Sequence, residues 1–228
     1  MSHQTTILFD LDGTLVDTAP DLLSALNEVL RTVDAAPVTI GQLRTMVGQG
    51  ARVMIERGLR ANDRPATPGD IDKLIGVFLD FYGAHVADES RPFPGVIECL
   101  QQLQARGAKL AVCTNKFAGM SQRLLDALDM SQFFETVAGG DTYPVRKPHP
   151  DHLLLTMKAL GGSVGRTIMI GDSEPDVAAA KAASMPVIGV TFGYTPVPIA
   201  DLRPDLLVDH FDQMLPAIDR LLLRQTAG

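Results

Sequence analysis

The sequence lacks the features of secreted and membrane-spanning proteins. Its 228 residues include only two cysteines, Cys99 and Cys113, too few for the disulfide framework of a small secreted domain. No apolar run approaches the roughly 18 residues that suggest a membrane span. The N-terminal "MSHQTT" has neither the charged nor the apolar region of a secretory signal. We therefore expect a cytoplasmic protein with two buried thiols and no membrane contact.

Positive charge is also scarce. The net charge is −7, so a general surface for nucleic acid or anionic lipid is not expected. A phosphate-bearing ligand would need positive charge concentrated at one place. Low-complexity tracts and internal repeats are absent as well, and with 46% hydrophobic and 21% charged residues the composition is that of an ordinary globular protein.

A helical region interrupts the N-terminal part of the chain. After a strand-like run, "TTILF", apolar residues recur at helical spacing through four segments. The predicted helices cover 20–33, 39–47, 50–61 and 68–86. The stretch "RPFPG" then ends the pattern, because proline and glycine interrupt helices. We predict a helical insertion over 17–92 between the two parts of a core domain, 1–16 and 93–228.

From residue 95 onward, strand-like and helical segments alternate. The predicted strands are "AKLAVCT", "ETVAGGD", "RTIMIGD", "MPVIGVT" and "PDLLVD". They are rich in Val, Ile and Leu without strict alternation, which is typical of parallel strands buried on both faces. The predicted fold is therefore α/β, a Rossmann-like parallel sheet covered by helices, with the helical insertion beside it.

Polar side chains follow several of these strands. In such sheets, ligands bind beyond the carboxyl ends of the strands, so these side chains form the candidate site. They are Asp10 and Asp12, then Thr114 and Asn115, then Lys147, and finally Asp172 and Asp176.

The acids predict a divalent cation. Asp10 and Asp12 are two residues apart, so in extended chain they point to the same side. Clustered carboxylates suit a hard cation such as Mg²⁺, which takes few protein carboxylates together with water and substrate phosphate. Mg²⁺ and Lys147 together would set three positive charges against the four acids Asp10, Asp12, Asp172 and Asp176. This positive charge offsets the repulsion between the acids and an anionic phosphate, so that a phosphate can bind.

Two features have structural alternatives. Asp176 fits an N-terminal capping box with Ser173, a role that does not exclude one near a metal. His149 and His152 are three residues apart, but no further ligands accompany them, so a zinc site is not expected.

The same groups suit phosphoryl transfer. A carboxylate can attack phosphorus and form an aspartyl-phosphate, and a second carboxyl nearby can protonate the leaving alkoxide and later activate water. Backbone N–H groups around Gly13 and Asn115, with the Thr114 hydroxyl, can hold the equatorial phosphate oxygens. Lys147 and Mg²⁺ would neutralise the charge that builds there.

Four segments together resemble the motifs of the haloacid dehalogenase superfamily: "DLDGTLVD", "CTNK", "RKPHP" and "GDSEPD". The resemblance implies that Asp10 is the nucleophile and that Asp12 is the general acid/base, its main-chain carbonyl binding Mg²⁺. It implies metal binding by Asp172, supported by Asp176. It also implies phosphate binding by Thr114 and Asn115, and it assigns Lys147 to steadying nucleophile and phosphate. Dehalogenases of the superfamily lack the second acid, so Asp12 favours phosphoryl chemistry.

The resemblance also implies that 17–92 is a cap domain that selects the substrate. The stretch "VGQGAR" places Gly48 and Gly50 at the start of a predicted helix, which is suited to binding an anion. Arg52 either contacts the substrate's leaving group or is a solvated helix residue. Asp17 is expected to mark the exit into the cap.

Longer stretches narrow the resemblance within the superfamily: "FDLDGTLVDTAPDL", "VGQGARVMIERGL" and "GGDTYPVRKPHPDHLL". They resemble most the group that hydrolyses 2-phosphoglycolate to glycolate and phosphate. The alternatives within the superfamily are another small-ester phosphatase, a pyrophosphatase and a β-phosphoglucomutase-like enzyme. A different class is a signalling module that accepts a phosphoryl group on an Asp. The expected partner is a small phosphate ester, and the expected state is a monomer or homodimer.

Overall fold

In the computed structural model, residues 4–226 are described, with side chains through residue 223. Six parallel strands form one sheet in the order β5-β4-β1-β6-β7-β8. These strands are β1 (Thr6–Phe9), β4 (Lys109–Cys113), β5 (Thr136–Ala138), β6 (Thr167–Gly171), β7 (Val187–Val190) and β8 (Leu206–Val208). The predicted α/β parallel fold is confirmed.

The first strand lies at the centre of the sheet. Its residue Ile7 pairs with Leu110 of β4 on one side and with Ile168 of β6 on the other. Apolar side chains therefore pack on both faces, which explains why the strand sequences show no alternation.

Helices cover both faces of the sheet. On one face lie α5 (Val96–Ala105), α6 (Ala118–Ala127) and α9 (Met214–Thr226), and on the other lie α7 (Pro150–Ala159) and α8 (Glu174–Ala182). The two cysteines are buried, one on each side, and neither forms a disulfide. Burial raises the pKa of each thiol to about 12, so both behave as small apolar residues, as expected.

Four helices are inserted after the first strand. They are α1 (Ala19–Thr32), α2 (Ile40–Arg44), α3 (Ala51–Arg60) and α4 (Pro68–Ala84). Their apolar faces pack on one another in a core of their own, centred on residues such as Leu26, Ile55 and Phe78. Thr39 directly precedes α2 as its N-cap, in a capping box with Gln42. That helix ends at Arg44, three residues before the predicted end.

A two-stranded antiparallel ribbon lies where the chain leaves the core and returns to it. It pairs β2 (Val16–Asp17) with β3 (Arg91–Pro92). The buried Asp21 carboxylate of α1 also connects the two chain segments. It accepts hydrogen bonds from the backbone N–H of Ser90 at 2.8 Å and from the Ser90 hydroxyl at 2.6 Å. The ribbon was not predicted, because two-residue strands carry no periodicity. The domain boundaries at 16/17 and 92/93 stay a prediction.

Within residues 4–226, no helix combines the length and the apolar character needed to cross a membrane.

Candidate active site

The carboxyl ends of three neighbouring strands place the candidate residues together. Asp10 follows β1, Thr114 follows β4 and Asp172 follows β6, and all three are buried. Because β1 lies between β4 and β6, residues that are 58 to 162 positions apart in the chain meet at one edge of the sheet. The sequence-predicted convergence is therefore present for these residues.

A buried ammonium group joins two of the acids. Lys147 lies in the loop between β5 and α7. Its Nζ is 3.0 Å from Asp10 Oδ1 and 2.6 Å from Asp176 Oδ1, and it donates to the Cys113 carbonyl at 2.6 Å. Burial lowers the pKa of Lys147, but the charges of Asp10 and Asp176 outweigh it and raise the pKa above its usual value. This lysine therefore stays charged.

Three carboxylates form a compact cluster. One oxygen each of Asp10, Asp172 and Asp176 lies within 4.8 Å of the others. Burial, and next the charge of Asp176, raise the pKa of Asp10 to about 7. Burial and the charges of Asp176 and Asp10 likewise hold the pKa of Asp172 well above its usual range. A hard divalent cation fits this donor set, because Lys147 alone does not balance three buried carboxylates.

Asp172 is held in position on both oxygens. The Thr14 hydroxyl donates to Oδ1 at 2.9 Å, and the Tyr194 backbone N–H donates to Oδ2 at 2.6 Å. Gly13, at φ +83, lies so close that a Cβ built on it would be 2.6 Å from Asp172 Oδ2. Only glycine fits this turn, because of both the positive φ and the missing space. Thr14 and Tyr194 were not among the predicted residues.

Asp176 combines the two roles that the sequence left open. Its Oδ2 accepts hydrogen bonds from the Ser173 backbone N–H at 3.0 Å and from the Ser173 hydroxyl at 2.6 Å, closing a capping box at the start of α8. Its Oδ1 faces Lys147. The structural role and the role in the acid cluster thus use different oxygens.

Asp12 faces a lysine that the sequence analysis did not single out. The Lys116 ammonium donates to Asp12 Oδ1 at 2.9 Å and to Oδ2 at 3.2 Å, and the Thr18 hydroxyl donates to Oδ1 at 2.8 Å. Burial lowers the pKa of Lys116, but the Asp12 charge contributes to raising it above its usual value. The only sequence signal was the position of Lys116, directly after Thr114 and Asn115 at the end of a strand.

Asn115 links the helical insertion to the core. Its side-chain N–H group donates to the Gly48 carbonyl at 3.0 Å and to the Lys147 carbonyl at 2.9 Å. Its Oδ1 is buried and has no hydrogen-bond partner in the described structure. The Thr114 hydroxyl accepts from the Lys116 backbone N–H at 3.2 Å. Because buried acceptors are nearly always hydrogen-bonded, we expect Asn115 Oδ1 to accept a hydrogen bond from a ligand or from water.

A cavity lies between the acid cluster and the inserted helices. Asp10, Asp12 and Asn115 line it from the core, and Gly48 and Gly50 line it from the insertion. Both glycines have positive φ, +99 and +86, which lets their backbone approach the core closely.

Of the two alternatives for Arg52, the structure has the one at the helix surface, away from the cavity. Its guanidinium contacts Asp72, and Arg52 lines a separate surface pocket rather than the cavity beside Asp10. The reason is helical geometry: Ala51 and Met54, three residues apart in α3, line the cavity, and Arg52 follows Ala51 directly and so lies on another face of the helix.

Comparison with known proteins decides the family. The family model for haloacid dehalogenase-like hydrolases matches residues 7–190. This chain belongs to the haloacid dehalogenase-like hydrolases. The match includes the stretches that carry Asp10, Lys147 and Asp172, so the acid cluster lies in the part of the chain that defines the family.

Relatives of this hydrolase support phosphatase activity. It is 46% identical to a phosphoglycolate phosphatase of Agrobacterium fabrum, over 97% of this chain and 95% of the relative. It is 48% identical to one of Caulobacter vibrioides, over 90% of this chain and 87% of the relative. The crystal structure of a predicted phosphoglycolate phosphatase from Haemophilus somnus superposes with TM-score 0.89 at 33% identity, covering 95% of this chain and 99% of that one. This hydrolase is therefore a phosphatase.

Proposed function

We propose that this phosphatase hydrolyses 2-phosphoglycolate to glycolate and phosphate, with Mg²⁺ as cofactor and a phosphorylated Asp10 as intermediate. The observation that carries the chemistry is the buried cluster in which Lys147 contacts Asp10 and Asp176 beside Asp172. The substrate assignment rests on near full-length similarity to relatives named phosphoglycolate phosphatase.

The two oxygens of Asp10 have different surroundings. The Leu11 backbone N–H donates to Oδ1 at 2.8 Å, and Lys147 Nζ lies 3.0 Å from the same oxygen. Among the described contacts, Oδ2 has neither of these partners, which leaves it available to attack phosphorus. In the proposed reaction, Oδ2 bonds to phosphorus as the bond to the alkoxide oxygen breaks, and water later displaces Asp10 from phosphorus.

Asp12 handles the protons in this proposal. It would protonate the leaving alkoxide and later take a proton from the attacking water, a contribution of about 10²–10⁴-fold. Thr18 and Lys116 hold its carboxyl at the cavity. Asp10, the Asp12 carbonyl and Asp172 would hold Mg²⁺, with Asp176 in support. When bound, the ion supplies positive charge to the transferring phosphoryl group.

Neutral donors complete the proposed phosphate site. The Thr114 hydroxyl, the Asn115 backbone N–H and backbone N–H groups near Gly13 would bind the equatorial oxygens. Lys147 would neutralise part of the charge on the phosphoryl group. Residues 17–92 would act as a cap whose closure brings Gly48 and Gly50 over the leaving group and excludes bulk water.

A panel of phosphate esters tests the substrate. We expect 2-phosphoglycolate to give the highest kcat/KM with Mg²⁺, and turnover to stop with EDTA. A wide margin in favour of another ester, or an isomerised sugar phosphate as product, would contradict the assignment.

Acid quenching tests the intermediate. During turnover the protein should carry an acid-stable, hydroxylamine-sensitive phosphoryl group, and Asp10→Asn should abolish both labelling and turnover while the far-UV circular dichroism spectrum stays unchanged. Retained turnover in Asp10→Asn would remove Asp10 from this role. A phosphorylated form that persists for hours would instead favour a signalling module.

A further inference from the structure

The cavity beside Asp10 contains a single positive charge among the described residues that line it. That charge belongs to Lys116, whereas Asp10 and Asp12 contribute negative charges. Most of the remaining wall is apolar, with side chains such as Leu22 and Phe78. For an anionic group that enters the cavity, Lys116 is therefore the cationic side chain available among the described lining residues.

The surroundings of Lys116 hold its ammonium group at the cavity. The side chain is 7% exposed, and its Nζ lies 4.3 Å from the centre of the Tyr82 ring. Tyr82 comes from α4 of the inserted helices, so the cation is enclosed between core and insertion. An ammonium group over an aromatic face is stabilised, and more so when it is desolvated.

The Tyr82 hydroxyl is an unused donor at the same place. Tyr82 lines the cavity and is buried, and its hydroxyl oxygen has no hydrogen-bond partner in the described structure. Buried hydroxyls are nearly always hydrogen-bonded. The missing partner is therefore expected to come from a group that enters the cavity.

Resting on the function proposed above, we propose that Lys116 and the Tyr82 hydroxyl bind the carboxylate of the substrate's leaving group, and so select phosphate esters that carry a carboxylate close to the ester oxygen. The position fits the reaction. Asp12 acts on the ester oxygen, and Lys116 Nζ is 2.9 Å from Asp12. In 2-phosphoglycolate a single carbon separates the ester oxygen from the carboxylate.

Substrate binding then involves an exchange of partners. In the structure, the Asp12 carboxyl occupies Lys116 through both oxygens. A substrate carboxylate that takes over Lys116 leaves the Asp12 carboxyl free to turn to the ester oxygen. An ester with a neutral leaving group has no carboxylate to take the place of Asp12, so the ion pair between Lys116 and Asp12 stays intact. Lys116 thereby acts as a specificity residue on both KM and kcat.

Paired substrates test this role. The first pair is 2-phosphoglycolate and 2-hydroxyethyl phosphate, and the second is 2-phosphoglycerate and glycerol 2-phosphate, in which a single carbon again separates the carboxylate or hydroxymethyl group from the ester oxygen. Within each pair, a carboxylate is exchanged for a neutral hydroxymethyl group. We expect Lys116→Met to lower kcat/KM for the carboxylate member by about 10- to 100-fold relative to the neutral member, the range expected for losing hydrogen bonds to a charged group. Lys116→Arg should restore part of the preference.

Two further variants keep the test independent of folding. Tyr82→Phe removes only the unpartnered hydroxyl, so it should fold normally and lower the preference for the carboxylate member several-fold. Lys109→Met is the matched control. Lys109 lies at the other end of β4, where it donates to the Leu160 carbonyl at 2.7 Å, and its replacement should leave both ratios unchanged.

The outcomes separate this inference from the proposed function. An unchanged ratio of kcat/KM within the pairs in Lys116→Met would overturn the role of Lys116 in substrate selection, and an unchanged ratio in Tyr82→Phe would remove the Tyr82 hydroxyl from that role. Failure of the wild type to hydrolyse 2-phosphoglycolate would refute the proposed function, and the second pair would still decide the role of Lys116.

Discussion

Replacing Lys147 by Met should cost more stability than any surface substitution in this protein. The side chain is 1% exposed, and its ammonium group contacts Asp10, Asp176 and the Cys113 carbonyl at 3.0, 2.6 and 2.6 Å. The variant leaves buried carboxylates without their cation and a carbonyl without a donor. Breaking a buried ion pair in this way costs about 3–5 kcal/mol of unfolding free energy.

The loss of stability in Lys147→Met should also depend on pH. Asp10 already has a folded-state pKa of about 7, above the value of about 3.9 for an unfolded Asp. Because the Lys147 charge lowers the pKa of Asp10, loss of Lys147 raises the folded-state pKa of Asp10 further. Between the unfolded and folded pKa values the folded state then binds more protons, so its stability rises as the pH falls. The deficit of Lys147→Met relative to the wild type should therefore be largest near pH 8, shrink as the pH falls to about 7, where wild-type Asp10 also takes up its proton, and stay level below that pH.

The difference in unfolding free energy between Lys147→Met and the wild type can be measured by urea unfolding, monitored by circular dichroism, in EDTA at several pH values between about 5 and 8. Adding Asp176→Asn to Lys147→Met removes one of the unpaired charges and should recover about 1–3 kcal/mol, the usual size of coupling between contacting groups. A deficit below about 1 kcal/mol near pH 8, or one that grows as the pH falls, would refute this account of Lys147.

Three further predictions concern neighbouring groups. His152 is buried, accepts the Lys147 backbone N–H at Nδ1, and has its pKa lowered to about 4 by burial and the Lys147 charge. An unfolded His has a pKa of about 6.5, so the unfolding free energy of the wild type should fall by about 3 kcal/mol relative to that of His152→Asn as the pH falls from about 6.5 to 4. Urea unfolding measures both, and an identical pH dependence of the two unfolding free energies would contradict this. Gly13→Ala should cost about 2–3 kcal/mol and weaken Mg²⁺ binding, because its Cβ would lie 2.6 Å from Asp172 Oδ2 at φ +83; calorimetry of unfolding and Mg²⁺ titration check it, and an unchanged Tm would refute it. Mg²⁺ at about 100 times its Kd should stabilise the wild type by about 2.7 kcal/mol, whereas Asp172→Asn should lose this gain without losing stability in EDTA; an equal Mg²⁺-dependent rise in Tm in the variant would exclude Asp172 as a ligand.

The sequence by itself determined the architecture and most of the acid cluster. Apolar runs without alternation predict parallel strands, and parallel strands align their carboxyl ends. Residues placed directly after such strands, such as Asp10, Thr114 and Asp172, therefore lie at one edge of the sheet, and the strand order that makes them neighbours is seen in the structure. The capping box of Asp176 and Ser173 was also readable, because its three-residue spacing is local.

The tertiary structure alone decided how the inserted helices face that cluster. The pairing of Asp12 with Lys116, the Tyr82 ring beside Lys116 and the turn of Arg52 toward Asp72 depend on how helices pack on one another and on the sheet. Spacing along the chain indicates which face of an element a residue occupies, but it does not indicate which surface that face meets. The selectivity proposed here arises where the core and the inserted helices meet, and for that physical reason it was visible only in three dimensions.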